Sequence, residues 1–155
     1  MADLEDIRTG RHCVFALHVH LVFVTKFRHE VFGHAHLTRM EEIMRDVCRD
    51  FETELVEFNG ENNHVHLLVN FPPKVAIAKL VNSLKGVSSR RMRQEFPDLR
   101  RHYYRANKLW SGSYFAGSVG GAPLSVVRQY IEQQNRPSKA RSGLAALPRG
   151  PSPPP

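Results

Sequence analysis

Cysteine is nearly absent from this chain: two residues, Cys13 and Cys48, in 155. They do not form a Cys-x-x-Cys pair, so neither a disulfide framework nor a zinc-thiolate site is expected. Long apolar runs are missing too. No stretch approaches the roughly 18 residues of a membrane span. The acidic start Met1-Ala2-Asp3-Leu4-Glu5-Asp6 is unlike a signal peptide. The expectation is a cytoplasmic protein with no membrane partner. There is no Gly-x-x-x-x-Gly-Lys-[Ser/Thr] run, and hence no ATP-binding loop of that kind. Acidic residues are scarce in one half only. Residues 1–73 hold seven Lys/Arg against twelve Asp/Glu, residues 74–108 ten against two, and residues 109–155 five against one. The second half therefore suits a polyanion, the bland alternative being a solvated basic face.

What is present is enough for one core. Residues 1–11 are polar and expected to be loose, residues 12–136 to form the domain, and residues 137–155, rich in Ser, Ala, Gly, Arg and Pro, to be a disordered tail. His12 to Lys26 is rich in β-branched, aromatic and His residues and reads as one long central strand. Leu37, Met40, Ile43, Met44, Val47, Cys48 and Phe51 keep helical spacing, and a loop containing Gly33 precedes them. Thr53–Phe58 and His64–Phe71 read as a hairpin bent at Asn59-Gly60. Pro72-Pro73 then open a helix from Val75 to about Phe96, with Gly86 inside it at a cost of roughly 1 kcal/mol relative to Ala. That glycine makes sense where a backbone or ligand passes close by. A strand over Leu109–Val119, a break at Gly120-Gly121-Ala122-Pro123 and a last helix to Asn135 complete the chain. The order predicts an α+β, ferredoxin-like (RRM-like) βαββαβ antiparallel sheet, helices on one face, with a C-terminal helix added.

His64 and His66 flank one residue in the third strand, so both side chains project from the same face and can share a metal ion. Two further His-x-His pairs, His18/His20 and His34/His36, show that this spacing alone decides nothing. The first suits packing and hydrogen bonding in the central strand, and the second falls in the Gly33 loop. His64 and His66 could themselves be satisfied core histidines. On the last helix Tyr130 and Gln134 stand at i and i+4, on one face. A tyrosine hydroxyl can attack phosphorus, and a carboxamide oxygen suits Mg²⁺ or Mn²⁺. A helical tyrosine is nonetheless usually a packing or surface residue.

Four blocks together carry a resemblance: Val22-Phe23-Val24-Thr25-Lys26-Phe27-Arg28, Asn63-His64-Val65-His66-Leu67-Leu68-Val69, Leu84-Lys85-Gly86-Val87-Ser88-Ser89-Arg90 and Tyr130-Ile131-Glu132-Gln133-Gln134. In this order, across roughly residues 12–136, the chain resembles the small single-tyrosine HUH transposases of insertion sequences, the TnpA type. The resemblance implies a metal site of His64, His66 and Gln134 holding Mg²⁺ or Mn²⁺, and Tyr130 as nucleophile. It implies cleavage and rejoining of single-stranded DNA through a 5′-phosphotyrosine link, a homodimer, and recognition of subterminal DNA hairpins. The family also points to the bacterial cytoplasm or nucleoid. Candidate DNA contacts are Lys26, Arg28, Lys79, Lys85, Ser88, Arg90, Arg91, Arg93, Lys108 and Trp110, cations for phosphates and the ring for an unstacked base. Family members often have an acidic residue before the first histidine, where this chain has Asn63. The alternatives are a domesticated nicking or repeat-processing enzyme with the same site, and a non-catalytic nucleic-acid-binding module.

Overall fold

A computed structural model describes residues 7–10, 14–118 and 130–132. Its elements are β1 (Arg8–Thr9), β2 (Val14–Phe15), β3 (His18–Val24), α1 (His34–Asp50), β4 (Glu54–Gly60), β5 (His64–Asn70), α2 (Ile77–Glu95), α3 (Pro97–His102) and β6 (Phe115–Ser118). The main sheet has the order β4-β5-β3-β6, every neighbouring pair antiparallel. With β3, α1, β4, β5, α2 and β6 in sequence, this is the βαββαβ ferredoxin-like arrangement.

Alternation along β3 and β5 separates the two faces of the sheet. Val19, Leu21 and Phe23 join Val65, Leu67 and Val69 on the helix side, packed in one cluster with Met40, Ile43, Met44 and Val47 of α1 and with Leu80, Val81, Leu84 and Met92 of α2. The register pairs His64 with Val24, His66 with Val22 and Leu68 with His20, which sets these six on the other face. Each face is thereby committed: one to the core, one to whatever lies beneath the sheet.

Several boundaries differ from the sequence expectation. The long strand over His12–Lys26 is two, because Val14–Phe15 turns away to pair with Arg8–Thr9, while His18–Val24 matches the length of β5. Within the stretch expected to be loose, Arg8 donates to Asn70 O and Glu52 O at 2.9 and 2.8 Å. α1 begins three residues early. His34 and His36 belong to its first turn rather than to a loop, and His36 Nδ1 accepts the Gly33 N–H at 2.9 Å. Gly60 ends β4 instead of bending the hairpin, since a Cβ there would lie 2.5 Å from Leu37 Cδ2. Of the strand expected over Leu109–Val119, only Phe115–Ser118 pairs with β3; Trp110 forms a single bridge to Thr25. Pro97 ends α2 and also opens α3, its missing N–H harmless in a first turn. The break at Gly120–Pro123, most of the last helix and the tail lie outside the described residues.

Candidate active site

His64 and His66 leave β5 on the face away from the helices, and their ring centroids are 4.9 Å apart. Both are half-buried. Each ring is held at Nδ1. The Asn63 Oδ1 oxygen can only accept, so His64 Nδ1–H donates to it at 2.7 Å and leaves the lone pair on Nε2. Asn63, directly before the first histidine, thus orients its ring. His66 Nδ1 lies 3.2 Å from His20 Nε2, and the two rings stack at 5.3 Å. With the proton on His66 Nδ1, His66 also presents Nε2 as a lone pair.

Both imidazoles are neutral near pH 7. Burial, with His64 and His20 adding to it, pushes His66 down to about 4. Burial also lowers His64, Glu61 opposing and Arg28 assisting. Arg28 and Phe27 both have left-handed backbones, φ 55° and 61°, a costly conformation for non-glycine residues. Two neutral imidazoles side by side on one face of the sheet suit a divalent ion. Among the described residues no group of three or more His, Cys, Asp or Glu gathers to complete such a site. Gln134, the third ligand expected from the sequence, lies outside the described residues.

Tyr130 is 2% exposed and packs with Val22 and Val24, backed by Phe115 and Ile131. Val22 and Val24 are the register partners of His66 and His64, so the phenol ring and the imidazoles share one face of the sheet. A row of rings connects them: His64 to His66, His66 to His20, His20 to Phe115 at 6.3 Å, and Phe115 to Tyr130 at 6.0 Å. The Tyr130 hydroxyl itself lies 2.9 Å from Ser113 Oγ. Burial raises its pKa to about 12, the Ser113 hydrogen bond opposing, so the oxygen keeps its proton until a phosphate or base draws it away.

The expected DNA contacts separate into groups. Lys85, Arg90, Arg93, Lys108 and Trp110 line one cavity of about 380 Å³. Lys26 and Arg28 follow β3, with Lys26 Nζ 5.0 Å from the Phe27 ring centre. Lys79 is exposed on α2. Arg91 is committed in part to Glu95, 3.8 Å away. Ser88 and Trp110 are corrections to the sequence reading, for both are buried, at 0% and 3% exposure. The Trp110 indole N–H donates to Ser88 Oγ at 2.9 Å, so neither presents a polar group or a full ring face to a strand of DNA. Ser113 is the contributor that sequence reasoning missed. Asn63 was marked only as standing where many family members are acidic, and His20 only as packing and hydrogen bonding in its strand; the structure sets them against His64 and His66.

The other two His-x-His pairs divide: His20 stands against His66, whereas His36 has structural work. His36 Nε2 meets Asp98 Oδ2 at 3.0 Å while its other nitrogen caps α1. His18 stands opposite Asn70 at the far end of β3.

Known proteins of the same kind share this fold. A solved transposase structure from Deinococcus radiodurans superposes with a TM-score of 0.73 at 33% identity, covering 82% of this chain and 97% of that one. A REP-associated tyrosine transposase bound to a REP hairpin matches with a TM-score of 0.50 at 10% identity over 81% of this chain and 68% of its own, a likeness of fold alone. In sequence, the ISDra2 transposase TnpA of Deinococcus radiodurans is 32% identical over 130 residues, 84% of this chain and 92% of that protein. The transposase for insertion sequence element IS200 of Salmonella typhimurium is 27% identical over 142 residues, 92% of each. No helix among the described residues is long and apolar enough to cross a membrane. The family described as "Transposase IS200 like" matches residues 13–134, and with these relatives it establishes that the chain belongs to the IS200-like transposases.

Proposed function

We propose that this transposase cuts and rejoins single-stranded DNA by transesterification, with Tyr130 as the nucleophile. The observation that carries the reading is the shared sheet face: Tyr130 packs on the two valines that pair across the ladder with His66 and His64. The phenol oxygen attacks a backbone phosphorus, an O–P bond to tyrosine forms, and the bond to the 3′ oxygen breaks. The departing 3′ oxygen takes up a proton, and the phenol proton passes to solvent, directly or relayed through the Ser113 hydroxyl, which gives up its own proton as it accepts. The 5′-phosphotyrosine conserves the bond energy, so a second 3′-OH can reverse the step and join new ends.

His64, His66 and Gln134 would hold Mg²⁺ or Mn²⁺. The ion, when bound, supplies Lewis-acid polarisation of the phosphate oxygens. The protein's part is to keep both imidazoles neutral by burial and to fix their rings through Asn63 and His20. Recognition of subterminal DNA hairpins and assembly as a homodimer complete the proposal on the strength of the family resemblance. The basic groups around the 380 Å³ cavity support a nucleic-acid partner. Sedimentation at micromolar protein should give a dimer, which truncation before Tyr130 is expected to leave without activity.

The test is incubation of the chain with single-stranded DNA from the flanks of its own gene plus Mg²⁺. A protein–DNA adduct should appear on a denaturing gel, disappear with EDTA, and disappear in Tyr130→Phe. Adduct formation by Tyr130→Phe equal to wild type would refute the assignment.

A further inference from the structure

A glycine inside a helix destabilises it relative to alanine and persists when something leaves no room for a methyl group. At Gly86, in the middle of α2, nothing among the described residues does so: a Cβ built there meets none of their atoms within 4 Å. Gly60 is the contrast, a glycine whose added Cβ would crowd the Leu37 side chain. Packing among the described residues therefore does not explain Gly86. What lies over it is the cavity of about 380 Å³, lined also by Lys85, Arg90, Arg93, Lys108 and Trp110. Gly112, from the loop before β6, lines it as well and likewise has no atom of the described residues within 4 Å of its built Cβ.

The lining has one sign of charge. Among the described residues no Asp or Glu borders the cavity, and none of its four cations makes an ion pair. The cations are also placed. Lys85 Nζ donates to Ser111 O at 2.8 Å and to Ser113 O at 3.1 Å; Arg93 donates to Asn107 Oδ1 at 3.0 Å and Ser89 Oγ at 3.3 Å. Burial, and after it repulsion from Lys108, holds Lys85 near pKa 8, in a site suited to an anion. The volume falls within the range of about 300–1,000 Å³ typical of small-ligand pockets. Through Ser113, whose hydroxyl meets Tyr130, one wall of the cavity continues to the nucleophile.

We propose that this cavity binds one unstacked nucleotide of single-stranded DNA, its phosphate among Lys85, Arg90, Arg93 and Lys108 and its sugar or base laid directly on the helix backbone at Gly86. The inference rests on the reading of the chain as a single-strand DNA enzyme, and adds to it a subsite. The nucleotide can come from a linear strand or from the unpaired part of a hairpin.

The test uses the full chain as Tyr130→Phe, so that no covalent product contributes, with and without Gly86→Ala. Oligo(dT) of 20 residues and a hairpin from the flank of the gene are the two probes. Adding a methyl to an open helical glycine should raise Tm by about 2–4 °C in a chain of this size. It should also weaken binding by about fivefold or more, the scale of one lost base contact. Quenching of Trp110, the only tryptophan in the chain, reports occupancy of the cavity directly. Loss with oligo(dT) assigns the nucleotide to the linear strand; loss with the hairpin alone assigns it to the hairpin. A raised Tm with both affinities and the quenching unchanged overturns the proposal. Should Gly86→Ala lower Tm instead, Lys108→Ala decides: weaker binding and a salt slope shallower by about one support it, and neither change overturns it. Absence of any adduct from the wild-type protein bears on the enzyme reading alone, since these affinities do not depend on it.

Discussion

The Tyr130 hydroxyl is 2.9 Å from Ser113 Oγ, in a setting where the tyrosine is 2% exposed. A buried phenol without a partner loses about 1–3 kcal/mol. Ser113→Ala should therefore lower stability on that scale in urea unfolding, whereas Tyr130→Phe, which removes the hydroxyl and keeps the ring against Val22 and Val24, should cost less. Tyr130→Phe should leave DNA affinity within about twofold while ending adduct formation.

His20 holds His66 at 3.2 Å, and partners that orient a metal-binding imidazole typically carry 10–100-fold in metal affinity. His20→Ala is expected to weaken Mn²⁺ binding by roughly that factor in titration calorimetry, with Tm changed little. His66→Ala should abolish binding. Unaltered Mn²⁺ affinity in His20→Ala would mean that the contact serves packing only.

Much of this was legible in the chain. The two-residue period of β5 placed His64 and His66 on one face, and the three-and-four periods of α1 and α2 placed the helices on the other. What was not legible depends on partners far away in sequence. The length of β3 is set by the seven residues of β5 it pairs with, which composition alone cannot show. Gly60 looked like a turn residue because an Asn-Gly pair signals a bend, but an added Cβ there would crowd the Leu37 side chain of α1. Trp110 looked like a stacking platform because it follows a basic, aromatic run, although its ring fills the space between α2 and the end of β3. Ser88 could have been read correctly, since it lies midway between Leu84 and Met92 at steps of four on the buried stripe of α2. Ser113 had no signal: a loop serine becomes notable only once Tyr130 folds against it.

Gly60→Ala tests the α1 contact. The added carbon would sit 2.5 Å from Leu37 Cδ2 and 3.1 Å from Cδ1, so the Leu37 side chain must turn aside. Overpacking of this kind costs about 1–3 kcal/mol. Leu37→Ala in the same chain should recover most of the loss, a non-additive pair in a double-mutant cycle.

DNA affinity should depend on pH through Lys85. Burial, then Lys108, brings its pKa from 10.5 to about 8, so its charge is present below pH 8 and is lost as pH rises past it. Oligo(dT) binding should weaken between pH 7 and 9, and Lys85→Met should flatten that change. Stability moves the other way. The unfolded chain keeps the Lys85 proton up to about 10.5 while the folded chain releases it near 8, so between these values unfolding takes up a proton and Lys85 makes stability rise with pH.

The central claim concerns one oxygen, and mass spectrometry of the covalent product addresses it most directly. After reaction with single-stranded DNA and Mg²⁺, nuclease trimming and proteolysis, the account predicts a nucleotide remnant on the peptide containing Tyr130, absent when His64 and His66 are both alanine. A remnant on Tyr103, Tyr104 or Tyr114, or cleaved DNA with no tyrosine-linked remnant, would contradict it.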